Sequence, residues 1–310
     1  MAALSPYVQY GALVGMPPVV GTGATVYGYF LRADKATVRA LCKKVFEAPT
    51  MNAVTGEPAI TCTPLSDPDP ANQICYVMMT FASIPSVKSA LGGVPIPENE
   101  VLLQIPVKVT KAPQPSFTAL FAPYAWVDTP GSLTGGREIY GFNKSFGRVT
   151  LPMTASLLAG IQPPFGLQAF GGNLTSLSLG LTPLIDITQG PLINPLLTWM
   201  DLLKPLSIEF QALLNNWATG PNPTARQIFL KQFQDVDGMH ACVQQITYAD
   251  YNINLVPPLA VIPYSINITI QKVDTHPLLT ELKIEPAQVV NGGFVLTEDF
   301  TLSVPKVLWP

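Results

Sequence analysis

The sequence predicts an α+β fold that consists mainly of β-strands, and three observations support this prediction. Thirty-two prolines and 23 glycines cut the 310 residues into short apolar pieces, which favours strands and turns over long helices. Several of these pieces alternate apolar and polar residues, as half-buried strands do. A helical period occurs at only two places. No repeat, charge block or long linker marks a boundary, so we expect residues 1–310 to form a single domain.

The predicted strands are short segments rich in apolar residues and bounded by turn-forming residues. They span 75–82, 101–109, 117–127, 137–142, 227–233, 241–248, 265–272, 279–284 and 294–304. The segment 265–272 alternates most regularly, because its three isoleucines at every second position fall on one face.

Two segments have the spacing of amphipathic helices. Asp34 can cap a helix that begins after it, and this helix carries an apolar stripe. The stripe comprises Val38, Leu41, Val45 and Phe46. The second segment, 196–217, is divided by Pro205 into two short helices. We expect it to form a helical insertion around 190–220, which could be a packed helical hairpin, a flap or an interface element.

Charge and hydropathy exclude several classes of protein. Only 12% of the residues are charged and the formal net charge is −3, which argues against a nucleic-acid-binding protein. The mean hydropathy is +0.30, but prolines and charged residues interrupt every long apolar stretch before the roughly 20 residues that a membrane-spanning helix needs. The first 15 residues contain no lysine or arginine, so we expect no secretory signal and a cytoplasmic location.

Metal and nucleotide sites find little support in the sequence. The four cysteines show no C-x-x-C spacing and there are only two histidines, so we expect neither a disulfide framework nor a zinc site. His240 beside Asp237 and His276 before Pro277 are both expected to be solvated turn residues. Neither a P-loop nor a complete dinucleotide fingerprint occurs, and no G-x-S-x-G nucleophile elbow is present.

The densest group of chemically active residues lies at 135–145, which reads as a glycine turn, a strand and a lysine. Phe142 and Phe146 flank Lys144, and an apolar setting lowers the pKa of a lysine. A neutral amine is a nucleophile toward carbonyl groups, whereas an ammonium is not. The alternative interpretation is a surface lysine that closes a strand.

This segment resembles the signature of the acetoacetate decarboxylase family, in which Gly-Arg-Glu precedes an aromatic residue, a proline and a pair of lysines. Gly136, Arg137 and Glu138 match the first three residues, and Lys144 stands where the family's first lysine forms a Schiff base. Further matches upstream are Trp126-Val127-Asp128 and Glu100 ahead of Ile105-Pro106-Val107. The resemblance implies a β-barrel-like core with flanking helices, assembly into homo-oligomers, and no metal or organic cofactor, because the imine itself accepts electrons.

The resemblance also assigns roles to residues of the site. Lys144 would form the Schiff base and Glu100 would act as general acid and base. We expect the substrate pocket to include Phe142, Tyr124, Trp126, Ser145 and Arg137 as well.

Four positions depart from the family pattern. Ser145 replaces the second lysine, and Asn143 replaces the proline. The family's active-site arginine falls near Ala24 and its other glutamate near Val77. Without the second cation, burial among aromatic residues would have to lower the pKa of Lys144.

These observations predict a Schiff-base-forming lyase that acts on a small-molecule keto acid. The first interpretation is that the protein decarboxylates a β-keto acid. The second is an aldolase/dehydratase that uses the same lysine on a pyruvate-like or other keto substrate. The third is a non-catalytic protein that binds a hydrophobic small molecule.

Overall fold

The computed structural model describes residues 16–65, 73–152, 165–173, 178–220 and 223–310. Within these ranges twelve strands form one sheet. The strands are β1 Val19–Asp34, β2 Thr61–Pro64, β3 Ile74–Ser89, β4 Gly92–Lys111, β5 Gln114–Val127, β6 Lys144–Thr150, β7 Gly166–Asn173, β8 Ser178–Leu192, β9 Thr224–Gln234, β10 Ala241–Ile270, β11 Ala287–Leu302 and β12 Lys306–Trp309. The predicted predominance of β-structure is confirmed.

The sheet follows the order β2-β4-β3-β1-β11-β10-β8-β7-β6-β5-β9, and β12 pairs with β10. Additional pairings join β4 to β5 and β10 to β9, so the hydrogen bonding closes on itself like a ring. Two of these pairings are parallel, β5 with β6 and β5 with β9, whereas the other pairings that the structure describes are antiparallel.

Short helices flank the sheet. They are α1 Lys35–Cys42, α2 Pro130–Gly135, α3 Trp199–Leu203, α4 Ile208–Thr219 and α5 Leu278–Glu281, with π-helical turns at Lys43–Glu47 and Gly136–Tyr140 and a 3₁₀ turn at Ala48–Thr50. Asp34 caps α1 as predicted, since its Oδ1 accepts a hydrogen bond of 2.8 Å from the backbone N–H of Thr37. Among the described residues, none of the helices is both long and apolar enough to cross a membrane.

The two helices predicted between residues 196 and 217 are confirmed, and they are separated at Pro205. Leu203, Phe210 and Leu214 are buried against one face of the sheet, in a hydrophobic cluster with Val26 and Phe294, and the ring of Phe210 meets that of Phe30 edge-on at 5.8 Å between centroids. The helical pair is therefore packed by its apolar side.

Two predicted strands were wrong. The segment 137–142 lies in the π-helical turn and the residues after it, because Pro130 begins a helix there and Gly141, at φ +96°, ends it. The segment 279–284 overlaps α5, and Leu278 in this helix and Leu282 directly after it are four residues apart and both buried. A short apolar segment fits one buried helical turn as well as it fits a strand.

The two histidines differ in their surroundings. His240 is exposed in the β9–β10 turn and its Nδ1 contacts the Asp237 carboxylate, as predicted for a solvated turn residue. His276 is 6% exposed, so the same prediction was wrong for it. Its ring packs against Trp126 and its Nε2 lies 3.2 Å from the carbonyl oxygen of Phe170, because the turn folds back against β7. Burial lowers the pKa of His276.

Side chains on β4 alternate between two environments. Val101, Leu103 and Ile105 are fully buried in the main hydrophobic core, which β4 shares with α1 and β5. Glu100 and Leu102 point to the opposite face, where they line a cavity. One strand thus supplies both the core and the candidate site.

Candidate active site

A cavity of about 500 Å³ lies on the face of the sheet opposite the main hydrophobic core and extends to the β3–β4 hairpin. Its walls come from β1, β3, β4, β9, β10 and β11, and Trp217 of α4 also lines it. Most of the wall is apolar. Lys144, Glu98, Glu100 and Glu298 are its ionisable side chains apart from Lys88 and the tyrosines, among the residues that the structure describes.

Lys144 is the first residue of β6, where it pairs in parallel with Ala125 of β5. Its side chain is 8% exposed. The helical segment before β6 passes over the lysine stem, and Gly136 makes this approach possible. A Cβ at position 136 would lie 2.7 Å from Lys144 Cδ and 2.9 Å from Cε.

The amine of Lys144 is held by three oxygen atoms. Its Nζ lies 2.7 Å from Ser132 Oγ, 3.3 Å from Glu98 Oε1 and 3.5 Å from Glu100 Oε2. The Ser132 hydroxyl in turn donates a hydrogen bond of 2.5 Å to Glu98 Oε1. Glu98 and Glu100 are two residues apart on β4, so both reach the same face. The ring of Phe142 lies 5.2 Å from Nζ.

The pKa of Lys144 is raised, contrary to the prediction. Burial acts to lower this pKa, but the negative charges and hydrogen bonds of Glu98 and Glu100 outweigh it. Phe146, which was expected to contribute to the apolar setting, is 37% exposed. The prediction failed because it considered only the sequence neighbours of Lys144, whereas two carboxylates from another strand determine its charge.

The carboxyl of Glu100 has a pKa of about 7. Burial is the main cause and the charge of Glu98 adds to it, whereas Lys144 opposes the shift. A carboxyl with this pKa exchanges a proton readily near neutral pH, as a general acid and base must. Lys144 and Glu100 are thus a donor and an acceptor of protons in direct contact.

A third carboxyl, Glu298 of β11, is 1% exposed in the same cavity. Its oxygens accept hydrogen bonds from Tyr251 OH at 2.6 Å and from Trp217 Nε1 at 3.1 Å. Burial raises the pKa of Glu298 to about 7, and the charge of Glu100 contributes to this rise. Its neighbour across the β1–β11 pairing is Ala24, the position at which the family resemblance expected an arginine.

Three of the seven predicted site residues line the cavity: Lys144, Glu100 and Phe142. Tyr124 and Trp126 lie elsewhere, stacked at 5.8 Å within the main core, and Tyr124 OH donates a hydrogen bond to Glu281. They point away from the cavity because they pair with Leu103 and Val101 of β4, whose side chains lie on the core face of the sheet.

The remaining two predicted residues are also outside the cavity walls. Ser145 follows Lys144 in β6, so its side chain points to the opposite face. Arg137 is exposed and lines a separate groove together with Asn143. Val77, near which the resemblance expected a second glutamate, is fully buried in the main core.

Sequence reasoning missed Glu98, Ser132 and Glu298. Glu98 could have been found, because a strand that places Glu100 in a site places the residue two positions earlier on the same face. Ser132 and Glu298 carry no local signal. They reach the site through the helical return before β6 and through the pairing of β1 with β11. Among the described residues, no three His, Cys, Asp or Glu side chains are grouped as metal ligands.

Comparison with known proteins gives matches in structure only. No protein-family model matches the chain, and no curated protein matches it significantly. The structure of acetoacetate decarboxylase from Legionella pneumophila is similar, with a TM-score of 0.59, 16% identity, and coverage of 99% of this chain and 93% of that one. The enduracididine biosynthesis enzyme MppR complexed with pyruvate gives a TM-score of 0.53 at 14% identity, with coverage of 96% and 93%.

An acetoacetate decarboxylase-like enzyme from Sphingomonas wittichii RW1 also gives a TM-score of 0.53 at 14% identity, with coverage of 94% of this chain and 92% of that one. The similar structures thus span nearly the whole of both chains. The predicted fold class, a mainly β core with flanking helices, is confirmed. The chain has the acetoacetate decarboxylase-like fold.

Proposed function

We propose that this protein is a Schiff-base-forming lyase that acts on a keto acid through Lys144, and that its reaction is the decarboxylation of a β-keto acid. The observation that carries the proposal is a buried amine in contact with two carboxylates and a hydroxyl at the wall of a mainly apolar cavity. A lysine that only closed a strand would extend its amine into solvent.

The contacts provide a way to make the amine nucleophilic. The Lys144 ammonium transfers one proton to Glu100, whose Oε2 lies 3.5 Å away, and the neutral amine then attacks the ketone carbon. Protonated Glu100 returns a proton to the carbinolamine oxygen, which leaves as water. The product is an iminium ion on Nζ.

The iminium ion then accepts the electron pair of the bond to the carboxylate carbon, so that carbon dioxide leaves and an enamine remains. A protonated carboxyl of the cluster donates a proton to the enamine carbon, and water hydrolyses the resulting iminium to release a ketone and restore Lys144. Apolar walls favour this step, because they solvate the negative charge of the substrate carboxylate poorly, whereas carbon dioxide and the enamine carry no net charge. No arginine lies among the described residues that line the cavity, so none holds the carboxylate in its ground state.

Aldol condensation followed by dehydration is the second candidate reaction, and the number of carboxyls supports it. An enamine needs a base that removes a proton from the adjacent carbon, and Glu98, Glu100 and Glu298 all line the cavity. The similarly folded enzyme MppR has been solved with pyruvate and with the condensation product of pyruvate and imidazole 4-carboxaldehyde.

Reductive trapping tests the proposal. The protein is incubated with acetoacetate, longer β-keto acids or pyruvate, reduced with borohydride and analysed by peptide mass spectrometry. We expect the added mass on Lys144, its loss in Lys144→Ala, and its retention in the matched control Lys43→Met, because Lys43 is exposed and does not line the cavity.

Carbon dioxide release by the trapped compound would support decarboxylation. Adduct formation with proton exchange but without carbon dioxide would support the aldol reaction. Absence of an adduct across the panel, or turnover that survives Lys144→Ala, would overturn both and leave the non-catalytic binding protein as the best interpretation.

We also propose that the protein acts in the cytoplasm as a homo-oligomer built from a single domain. The pair α3 and α4 and the residues just before it expose apolar side chains, with Leu196 80%, Ile208 74% and Met200 53% exposed, which supports an intersubunit contact there. Sedimentation as a monomer at micromolar concentration would contradict the assembly.

A further inference from the structure

We infer that the substrate carries a long apolar chain, which runs from the reacting carbonyl at Lys144 along the cavity to the β3–β4 hairpin. This inference rests on the proposed function, since it takes Lys144 as the point of attachment. It goes further by naming the class of keto acid: one with a long alkyl or similarly apolar chain, not a short acid such as acetoacetate or pyruvate.

The size of the cavity is the first argument. Its volume of about 500 Å³ lies within the range of about 300–1,000 Å³ that is typical of sites for drug-sized molecules. A four-carbon keto acid bound at Lys144 would leave most of this space to water against apolar walls. Such water is displaced with a gain in free energy by an apolar group of the ligand.

The distribution of side chains gives the cavity a direction. Strand register places Ile84 opposite Glu98, and Val87 opposite Ile96, so the wall between the carboxylates and the hairpin is apolar on this side. The apolar wall continues onto the neighbouring strands, where Val19 of β1 pairs with Ser89 of β3 on one side and with Leu302 of β11 on the other. Phe300 and Ile253 complete this outer part of the cavity.

The opposite end of the cavity is polar. Thr80, Gln104 and Gln227 line it, and each is 4% exposed. An amphipathic substrate would place its polar end among these groups and its apolar chain in the outer part. Both preferences favour the same orientation, with the chain directed toward the hairpin.

The rim shows where a long chain would end. Leu91 and Val94 of the hairpin are 74% and 83% exposed, and Met16 beside them is 58% exposed, and all three line the cavity. Lys88 also lines this rim. A chain that reaches the rim covers apolar surface that otherwise faces water, so affinity is expected to increase with chain length up to that point.

The test uses a homologous series of β-keto acids from acetoacetate to 3-oxotetradecanoate, and it measures the concentration that gives half-maximal borohydride trapping on Lys144. We expect this concentration to fall by about fourfold per added methylene, the ratio that corresponds to about 0.8 kcal/mol, until the chain reaches the rim. Val87→Trp narrows the outer part and should shift the preference toward shorter acids. The matched control Val289→Trp places the same ring on an exposed strand position outside the cavity and should leave the length dependence unchanged.

A second series separates this inference from the proposed function. 2-Alkanols of the same lengths have no carbonyl and form no imine, so their displacement of an environment-sensitive naphthalene dye reports on the apolar channel alone. Trapping on Lys144 without length dependence would overturn the inference and leave the proposed function standing. Length-dependent displacement by alkanols without any trapping would support the channel and overturn the proposed function. Absence of trapping on Lys144 together with displacement that does not depend on alkanol length would overturn both.

Discussion

Replacing Glu98 by glutamine should change the charge state of Lys144 while keeping the volume of the side chain. In the native protein the carboxylates of Glu98 and Glu100 outweigh the effect of burial and raise the pKa of the lysine. Glutamine removes one of the two negative charges, whereas the burial of Lys144, which lowers its pKa, is unchanged. We therefore expect the pKa of Lys144 to fall in Glu98→Gln, so that a larger fraction of the amine is neutral at any pH near its titration.

The geometry gives the size of this effect. Opposite unit charges 3.3 Å apart attract by about 5 kcal/mol at an effective dielectric constant of about 20. Glutamine can still form hydrogen bonds, so only part of this energy is lost. Even one third of it, about 1.7 kcal/mol, changes the ratio of neutral amine to ammonium by more than tenfold, since about 1.4 kcal/mol corresponds to a factor of ten.

Reductive methylation with formaldehyde and cyanoborohydride measures this ratio, because only the neutral amine reacts. Peptide mass spectrometry across a pH series should show at least a tenfold increase in the labelling rate of Lys144 in Glu98→Gln at a given pH. Glu285→Gln, at an exposed site, serves as the control. Equal labelling of Lys144 in the native protein and in Glu98→Gln would refute the view that the carboxylates keep this lysine protonated.

Three further predictions concern packing and pH dependence. Gly136→Ala should displace the Lys144 stem and reduce trapping at least tenfold in a folded protein, whereas Gly180→Ala, with open space around its Cβ, should have no effect on trapping by the same assay. In the native protein, stability should decline between about pH 4.5 and 7 because folding raises the pKa of Glu298 to about 7; Glu298→Gln should remove about 3 kcal/mol of this decline in urea unfolding at pH 4.5 and pH 8. Phe210→Ala should lower the free energy of unfolding by about 3–5 kcal/mol in urea titrations.

Each of these predictions has a contrary result. Full trapping by Gly136→Ala would mean that the lysine stem can move without loss of function. Native and Glu298→Gln proteins with the same pH dependence of stability would show that this carboxyl is not protonated on folding. A loss below about 1 kcal/mol in Phe210→Ala would show that α4 is not anchored by its aromatic contact with the sheet.

Much of the fold could be predicted from local sequence pattern. The alternation at 265–272 identifies the end of β10, and Asp34 followed by the apolar stripe identifies α1, because both signals are contained in a few consecutive residues. The segment 137–142 could not be assigned in this way. Its helical turn depends on Pro130 seven residues earlier and on a glycine with positive φ after it.

Only those residues of the candidate site that belong to a recognisable sequence motif could be predicted. Lys144 and Glu100 could be named from the family resemblance. The charge state of Lys144 could not, because Glu98 is 46 residues away in sequence and Ser132 comes from a helical return that was predicted neither as a helix nor as part of the site. Glu298 meets Trp217 across 81 residues. The pKa of a group depends on its distance in space from other charges, and a short stretch of sequence does not reveal those distances.

The alternation of side chains on β4 bears on how such a protein can diversify. Val101 and Leu103 belong to the core, whereas Glu100 and Leu102, which alternate with them along the strand, face the cavity. Because backbone hydrogen bonds to β3 and β5 hold the strand on both sides, exchange of a cavity-facing residue leaves the interior layer intact. Substrate preference can therefore drift through single substitutions on one face while folding is preserved by the other. Proteins that share this architecture can therefore change their chemistry through a series of variants that all fold.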